Sequence, residues 1–595
     1  SSMFSFIISW LNAATLGCWL ASTTALLMIG YTCIRVQRIL RIRQLGGVRA
    51  FNVTPNPAST SVWRFFGGVN QAQGEDMLSG FFTEYFNKAP SGNQDVFEFE
   101  IPLLTRAIVT RDPDHIKTIL TTKFAEFGKG PNFHELWKPF LGDGIFSTDG
   151  KLWHGSRALI RPMFLKDRVS DLAKFERGVQ AFMAQLPSSG QTVELMSLLY
   201  RATLDTTTEF LLGRSAGSLE NPEVAFIKAF DEVQKTQMRI AMMKLASPFH
   251  VLVDKKEYYR GIKTLESFIM PFVEKTLTLS TEELEEIGKS DQDFTFLHGL
   301  ANFTRDPKVI RDQIMAVLLA GRDTTAATLS WAFCTFTPFP YKPRLMLATT
   351  YDLSPSWIST YAQGFRHTDE LAAYPEKWAR LREEVLSTVG SHKAPTYDDL
   401  KGLRYLRYTL NETLRLYPAV PYNVRTALQH QITQTTMVLL LLRATSNASS
   451  HTSPFDVLTN AHSLNKDTTL PGGPGRSDIA VLKGDTVSYS PYIMQRRRDL
   501  YPPVTAEFAD PSTFSPERWY SWQPRSWEFI PFNGGPRICV GQNFAMTEMA
   551  YFMVRILQRY ERLEYRGDWE AQLHKADIVA RPSLGVPVAL FSAGE

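Results

Sequence analysis

Phe532-Asn533-Gly534-Gly535-Pro536-Arg537-Ile538-Cys539-Val540-Gly541 is the stretch from which the rest of this chain is read. It sets one cysteine in a glycine-rich loop just ahead of a helical segment. A cysteine there gains from the helix dipole and from free backbone N–H groups, which hold its sulfur as a thiolate. Gly535 and Gly541 allow tight turns and close approach of the backbone to a bound group. Phe532 can shield the sulfur from water, and Arg537 can pair with an acidic group. A lone cysteine is most often a buried structural residue. A window fixing Phe, Gly, Arg, Cys and Gly in these places arises by chance about once in three million windows, which argues against that reading.

With no departure, the run resembles the haem-binding pattern of the cytochrome P-450 family, F-x-x-G-x-R-x-C-x-G. The resemblance extends from about Phe51 to the C-terminus, with two interruptions. It implies a mostly α fold with small β-sheets and haem b whose iron takes Cys539 as axial ligand. Phe532, Arg537 and Gly541 are then cofactor contacts, Arg537 to a haem propionate. Thiolate ligation pushes electron density onto iron and favours O–O cleavage.

Three further motifs follow from residue type and spacing. Ala320-Gly321-Arg322-Asp323-Thr324-Thr325 lies mid-way along an apolar helical stretch from about Ile310 to Phe333. Gly and paired Thr weaken a helix interior, and Thr hydroxyls can take over the i−4 carbonyl, so a local widening is expected there. Asp323 and Thr324 supply an acid and a hydroxyl for relayed protons. Alone the pattern is that of a cap or surface patch; its order before Cys539 resembles the family's oxygen-activation motif. Trp153 and Arg157 share a helix face at i, i+4, as an amphipathic core helix also would. The resemblance makes both propionate partners, with Arg425 a third. Glu412 and Arg415, at i, i+3, read alone as a surface ion pair. In the family they join Arg518 of Phe514-Ser515-Pro516-Glu517-Arg518-Trp519 in a buried structural triad.

The chain has 595 residues, 44% of them hydrophobic, and a net charge of +4. That is too weakly basic to argue for nucleic acid. Cys18, Cys33, Cys334 and Cys539 show no zinc or disulfide spacing and fit a reducing compartment. No charge precedes Arg35, and the run from Phe4 to Ile34 is apolar or small, long enough to cross a bilayer. Arg35, Arg38, Arg41 and Arg43 follow, so the positive-inside rule puts the body of the protein in the cytosol. A cleaved signal peptide is the rival, but its charges precede the apolar run. We therefore expect residues 1–34 to be an N-terminal transmembrane anchor and 35–60 a basic stop-transfer segment and linker. Residues 61–595 would be one catalytic domain. The sequons at Asn52, Asn302 and Asn447 then carry no glycan.

Phe97 to Thr110 alternates as a small hairpin, Asp112 to Leu120 reads as helix, and helical periodicity dominates from about 165 to 280. The acidic stretch 282–286 reads as a solvated helix face or loop. Residues 334–369 and 429–466 break these patterns, the first directly after the helical stretch that ends at Phe333 and the second between Arg425-Thr426-Ala427 and Asp467-Thr468-Thr469. Unstructured insertions this long are uncommon in a compact domain, so both read as translated introns, with genuine surface insertions the alternative. The run Arg496-Arg497-Arg498 is either solvated or a docking patch for an acidic partner.

The resemblance implies a monooxygenase on the endoplasmic reticulum membrane, single-pass, with a lipophilic substrate. Electrons come from NADPH through a cytochrome reductase. Gly130-Pro131-Asn132-Phe133-His134, the Ala320–Thr325 motif and Phe529–Arg537 are similar to the fungal alkane- and fatty-acid-hydroxylating branch. Another P-450 monooxygenase of a secondary-metabolite or xenobiotic pathway is the alternative. A haem-free scaffold made inactive by the insertions is a third reading.

Overall fold

A computed structural model describes residues 32–54, 65, 67–69, 71–73, 78–90, 94–100, 106–164, 172–246, 254–289, 294–335, 374–428, 467–568 and 571–592, with 22, 25, 29 and 30 as isolated positions. The expected anchor falls almost wholly outside these residues. Among the described residues no helix is long and apolar enough to cross a membrane. Residues 32–44 are helical, and the basic side of that helix is tied to the body of the protein by Arg41 against Asp467 at 2.8 Å. Of the two suspect segments, Cys334 and Thr335 belong to a described helix and the rest lies outside.

The fold is mostly helical. Nine helices position the site: α1 Pro131–Leu141, α2 Gly150–Ile160, α3 Leu195–Leu212, α4 Ala225–Ala246, α5 Lys256–Leu277, α6 Pro307–Thr335, α7 Pro375–Thr388, α8 Arg404–Leu416 and α9 Gln542–Arg559. The long helix α6 begins where Asp306 accepts hydrogen bonds from the amides of Lys308 and Val309, with Pro307 at the first helical position. From Ile310 to Thr335 its side chains are buried on nearly every side, the mark of a helix running through a core, with one half-buried face at Ala320, Gly321 and Thr324. It packs against α3, α5, α8 and α9. The expected widening at Gly321 does not form, and the helix runs unbroken. Thr324 does bond the Ala320 carbonyl, at 2.7 Å.

The strands are β1 Phe51–Asn52, β2 Val96–Glu100, β3 Arg106–Thr110, β4 Phe127–Gly128, β5 Thr192–Glu194, β6 Asn423–Ala427, β7 Thr468–Leu470, β8 Ile479–Val481, β9 Thr486–Tyr489, β10 Tyr560–Tyr565, β11 His574–Ala576, β12 Ala580–Pro582 and β13 Pro587–Ser592. Six form one sheet in the order β1-β2-β3-β9-β6-β4, and β10-β13-β5 form another. The hairpin expected around Phe97 is β2–β3, with Phe97 opposite Val109. Its polar face is not solvated. Glu98 is fully buried against Arg106 at 2.6 Å, and Arg106 also holds Asp485 at 2.9 Å. The helix expected at Asp112 starts with that residue as N-cap and covers Pro113–Lys117, continuing as a wider turn to Thr122. The acidic stretch is a helix, Thr281–Lys289, with only Leu284 buried.

Candidate active site

Glu412 on α8 is the centre of a buried cluster that supports the cysteine loop. Arg415 donates to both its oxygens at 2.8 Å, and Arg518 donates at 2.8 Å. The Trp519 indole and the Ser515 amide donate at 2.9 Å. Burial alone would raise the Glu412 carboxyl, but Arg415 and Arg518 outweigh it and hold it down at about 2. Gln495 then links α8 to the loop, donating to the Leu414 and Arg415 carbonyls and accepting from the Ile530 amide at 2.9 Å.

The loop closes where the Cys539 amide donates to the Phe532 carbonyl at 2.9 Å. Gly535 adopts φ +61°, and a Cβ there would stand 2.1 Å from the Leu120 carbonyl oxygen, so only glycine fits. Gly541 differs. A Cβ there would make ordinary contacts at 3.6 Å or more, so nothing in the protein itself demands glycine. Arg157 on α2 donates to the Ile538 carbonyl at 2.9 Å, bracing the residue before Cys539. Cys539 is exposed at the surface, yet the protein packed around it desolvates its thiol and raises it, while the Gly541 amide and Arg157 pull it down. A metal ion bound to the sulfur deprotonates it outright. Beside Cys539 opens a cleft of ≈ 550 Å³ lined by Trp153, His154, Arg157, Arg161, Phe164 and Val540, among others.

A surplus of positive charge stands next to the loop. Arg537 pairs with Asp149 at 2.5 Å and lies over the Trp153 ring at 4.7 Å, yet its buried Nε has no partner. Burial and the neighbouring Arg425 bring its guanidinium down to about 10. Arg425 is placed by β6, where it sits opposite Val487 of β9, so the segment after residue 428 does not displace it. Sequence reasoning missed Lys129. Antiparallel β4 and β6 pair Phe127 with Ala427 and Gly128 with Thr426, and Lys129, directly after β4, lies close enough to Arg425 for their like charges to repel. Burial, Arg425 and Arg537 all push the Lys129 ammonium down, and only Asp149 opposes them. Lys129 and Arg537 thus share Asp149, with Arg425 close to both, an arrangement that fits a ligand bringing negative charge. The only signal in the sequence was a lysine between Gly128 and Gly130, which reads as a surface turn.

Asp323 and Thr324 do not line that cleft. Thr324 is half-buried, and Asp323 is buried, with burial pushing its carboxyl up to about 6 against the pull of Arg322. Another residue absent from the sequence reading is Glu548 on α9. It is fully buried and neither oxygen is well paired, though Thr325 of α6 approaches; burial pushes it up to about 8. A neutral acid therefore lies between the helix that follows the cysteine and the helix that carries Asp323. The basic run does not form a free patch. Arg496 stacks on Tyr492 at 3.8 Å, and Arg497 binds Asp95 and Asp499. Arg498 holds Asp510, though its side chain stays 67% exposed.

A thiol loop on a mostly helical scaffold, with a buried acid–alcohol helix and a basic surplus beside the sulfur, defines a haem-thiolate oxidoreductase. The chain belongs to the cytochrome P450 family, whose description matches residues 57–337, 369–438 and 452–586. Cytochrome P450 monooxygenase pvhE of Talaromyces variabilis is 42% identical over 506 residues, covering 81% of this chain and 80% of the relative. Cytochrome P450 52A12 of Debaryomyces hansenii is 34% identical, with 83% of each chain covered. Cytochrome P450 52A3-B of Candida maltosa is 32% identical over 84% of this chain and 83% of its own. The cytochrome P450DA heme domain superposes with a TM-score of 0.63 at 18% identity, over 92% of this chain and 97% of that one, and shares the fold. The protein is thus a monooxygenase with haem b on a cysteine thiolate and electrons from a reductase. The residues present fit that group: Cys539 is free and exposed, and the cations around Arg537 suit its two propionates.

Proposed function

We propose that this protein is a membrane-anchored monooxygenase hydroxylating a C–H bond of a long-chain aliphatic substrate, an n-alkane or a fatty acid. The observation that carries the chemistry is the Cys539 loop standing beside unbalanced Lys129, Arg425 and Arg537. Haem held there supplies oxygen activation, favoured by electron donation from the sulfur. Cys539 would bind its iron, with Phe532 and Gly541 beside it, and Trp153, Arg157, Arg425, Arg537 and Lys129 would hold its propionates. Asp323 gives up its proton and Thr324 passes it on, the hydroxyl staying oriented by its bond to the Ala320 carbonyl. NADPH supplies electrons through a cytochrome reductase, and exposed His154 and Arg161 beside Cys539 suit an acidic partner better than Arg496–Arg498 do.

Thr324→Ala tests the proton role. It removes a hydroxyl whose only bond is to its own helix, so haem content is expected to stay at the wild-type level while product per NADPH falls several-fold and peroxide rises. Loss of haem instead would make Thr324 structural. The aliphatic substrate is supported by the resemblance of the Gly130–His134, Ala320–Thr325 and Phe529–Arg537 stretches to the fungal alkane- and fatty-acid-hydroxylating branch. One observation favours a second reading, a monooxygenase of another fungal pathway: the pvhE relative, at 42%, exceeds the 52A relatives at 34% and 32%. Product analysis with a panel of alkanes and fatty acids separates the two, since no oxidised aliphatic product would leave the second standing.

The domain reading also stands as a proposal, with the anchor at 1–34 in the endoplasmic reticulum membrane and the catalytic domain at 61–595 in the cytosol. Supporting the inserted character of 334–369, the family match stops at 337 and resumes at 369. Within 429–466 it lapses only from 439 to 451. Ordering such segments costs backbone entropy of about 1–2 kcal/mol per residue. Deleting 336–369 and 429–466 together, which spares helical Cys334 and Thr335, is expected to raise haem bound per chain. Equal or lower haem would make them part of the fold.

A further inference from the structure

Arg322 lies in the middle of α6, buried at 3% exposure, and one of its nitrogens faces two carboxylates. Its Nη1 is 2.7 Å from Asp231 Oδ1 and 3.4 Å from Asp323 Oδ1. The first is the length of a charge-assisted hydrogen bond; the second is too long for one. The unequal sharing leaves loose ends on both sides, because Asp323 Oδ1 and Arg322 Nε have no hydrogen-bond partner. The guanidinium cannot drift easily toward Asp323. It stands over the rings of Tyr200 from α3 and Phe230 from α4, at 5.3 and 5.0 Å. Asp231 follows Phe230 on α4, and its side chain is 60% exposed, so the pair meets solvent at that carboxylate.

We propose that Asp231 is a positioning residue for proton delivery: by holding Arg322 it keeps the guanidinium off Asp323, and so leaves Asp323 able to carry a proton to Thr324. The proposal rests on the reading of Asp323 as the proton-delivering acid. A full ion pair between Arg322 and Asp323 would keep that carboxyl ionised and empty. The groups facing Asp323 are Tyr200 from α3, Asp231 and Gln234 from α4, Arg322 from α6 itself and Arg581 from β12. After burial, Arg322, Gln234 and Arg581 favour the ionised acid, and Asp231 alone among the carboxylates opposes them. Removing the Asp231 charge acts twice in one direction, since a repelling carboxylate disappears and a guanidinium is released. Because Phe230 and Asp231 ride on the same helix, a shift of α4 would release Arg322 in the same way.

The test compares haem-loaded wild type with Asp231→Asn, Asp231→Glu and Asp323→Asn. Asp231 is exposed, so its variants are expected to fold and load haem normally. The infrared band of protonated carboxyl that vanishes in Asp323→Asn belongs to Asp323, which separates it from Glu548. In Asp231→Asn the midpoint of that band should move down by about one pH unit or more, the size of effect an opposite charge exerts at this range. The pH profile of product formed per NADPH should move the same way with KM unchanged, and Asp231→Glu should restore both. An unmoved Asp323 band in Asp231→Asn overturns the proposal while leaving the role of Asp323 intact. Normal coupling in Asp323→Asn overturns that role, and the proposal with it.

Discussion

Cys539→Ser is expected to abolish the thiolate-type absorption of the reduced, carbon-monoxide-treated protein, together with all oxygenation of substrate. Among the described residues the other free cysteines are Cys33, on the N-terminal helix, and Cys334, buried near the end of α6, and neither is in the loop. The loop should survive, since its closure uses the Cys539 amide, the Gly535 turn and the Arg157 brace, none of which needs sulfur. Haem bound without the thiolate signature is therefore the expected product. The same spectrum of the wild-type chain rules on the haem-free scaffold. A Cys539→Ser protein that kept the signature would remove the ligand from this account.

Glu412→Gln should cost more in stability than any other single change near the site. The amide keeps the shape but leaves Arg415 and Arg518 buried without a counter-ion. Breaking such a cluster costs about 3–5 kcal/mol, a large part of the stability of an ordinary domain. Thermal unfolding and haem per chain should both report the loss. The native cluster has a definite pH signature. Because the folded carboxyl is held below its ordinary 4.5 at about 2, its contribution is complete above pH 4.5 and disappears as pH falls toward 2. A Glu412→Gln protein with unchanged melting would show that the triad is not what supports the loop.

The cysteine loop, the acid–alcohol helix and the β2–β3 hairpin were legible because each is a local pattern. Gly535 shows the same logic at one position, since a positive φ and a carbonyl 2.1 Å away from a Cβ leave no other residue. What escaped depended on partners far along the chain. Glu98 and Arg106 alternate as solvent-facing residues would, but Asp485 and the N-terminal Arg49 cover them and bury the face. Lys129 sits between glycines like any surface turn, and only the pairing of β4 with β6 gives it Arg425 for a neighbour. Glu548 is one polar residue in an otherwise ordinary amphipathic helix, and nothing in its spacing says that no ion pair awaits it.

The crossing of β4 and β6 also sets a timetable. Lys129 and Thr426 are 297 positions apart, and Cys539 lies further on still. While the chain is being made, the first cation and the indole of Trp153 exist long before the strand that opposes them or the sulfur that completes the site. Contacts of such sequence separation form late, after the long intervening chain has been closed into a loop. The prosthetic group therefore finds neither its ligand nor its full set of counter-ions until the C-terminal part has emerged and docked. A group that takes up that site neutralises a repulsion that chain folding has just created.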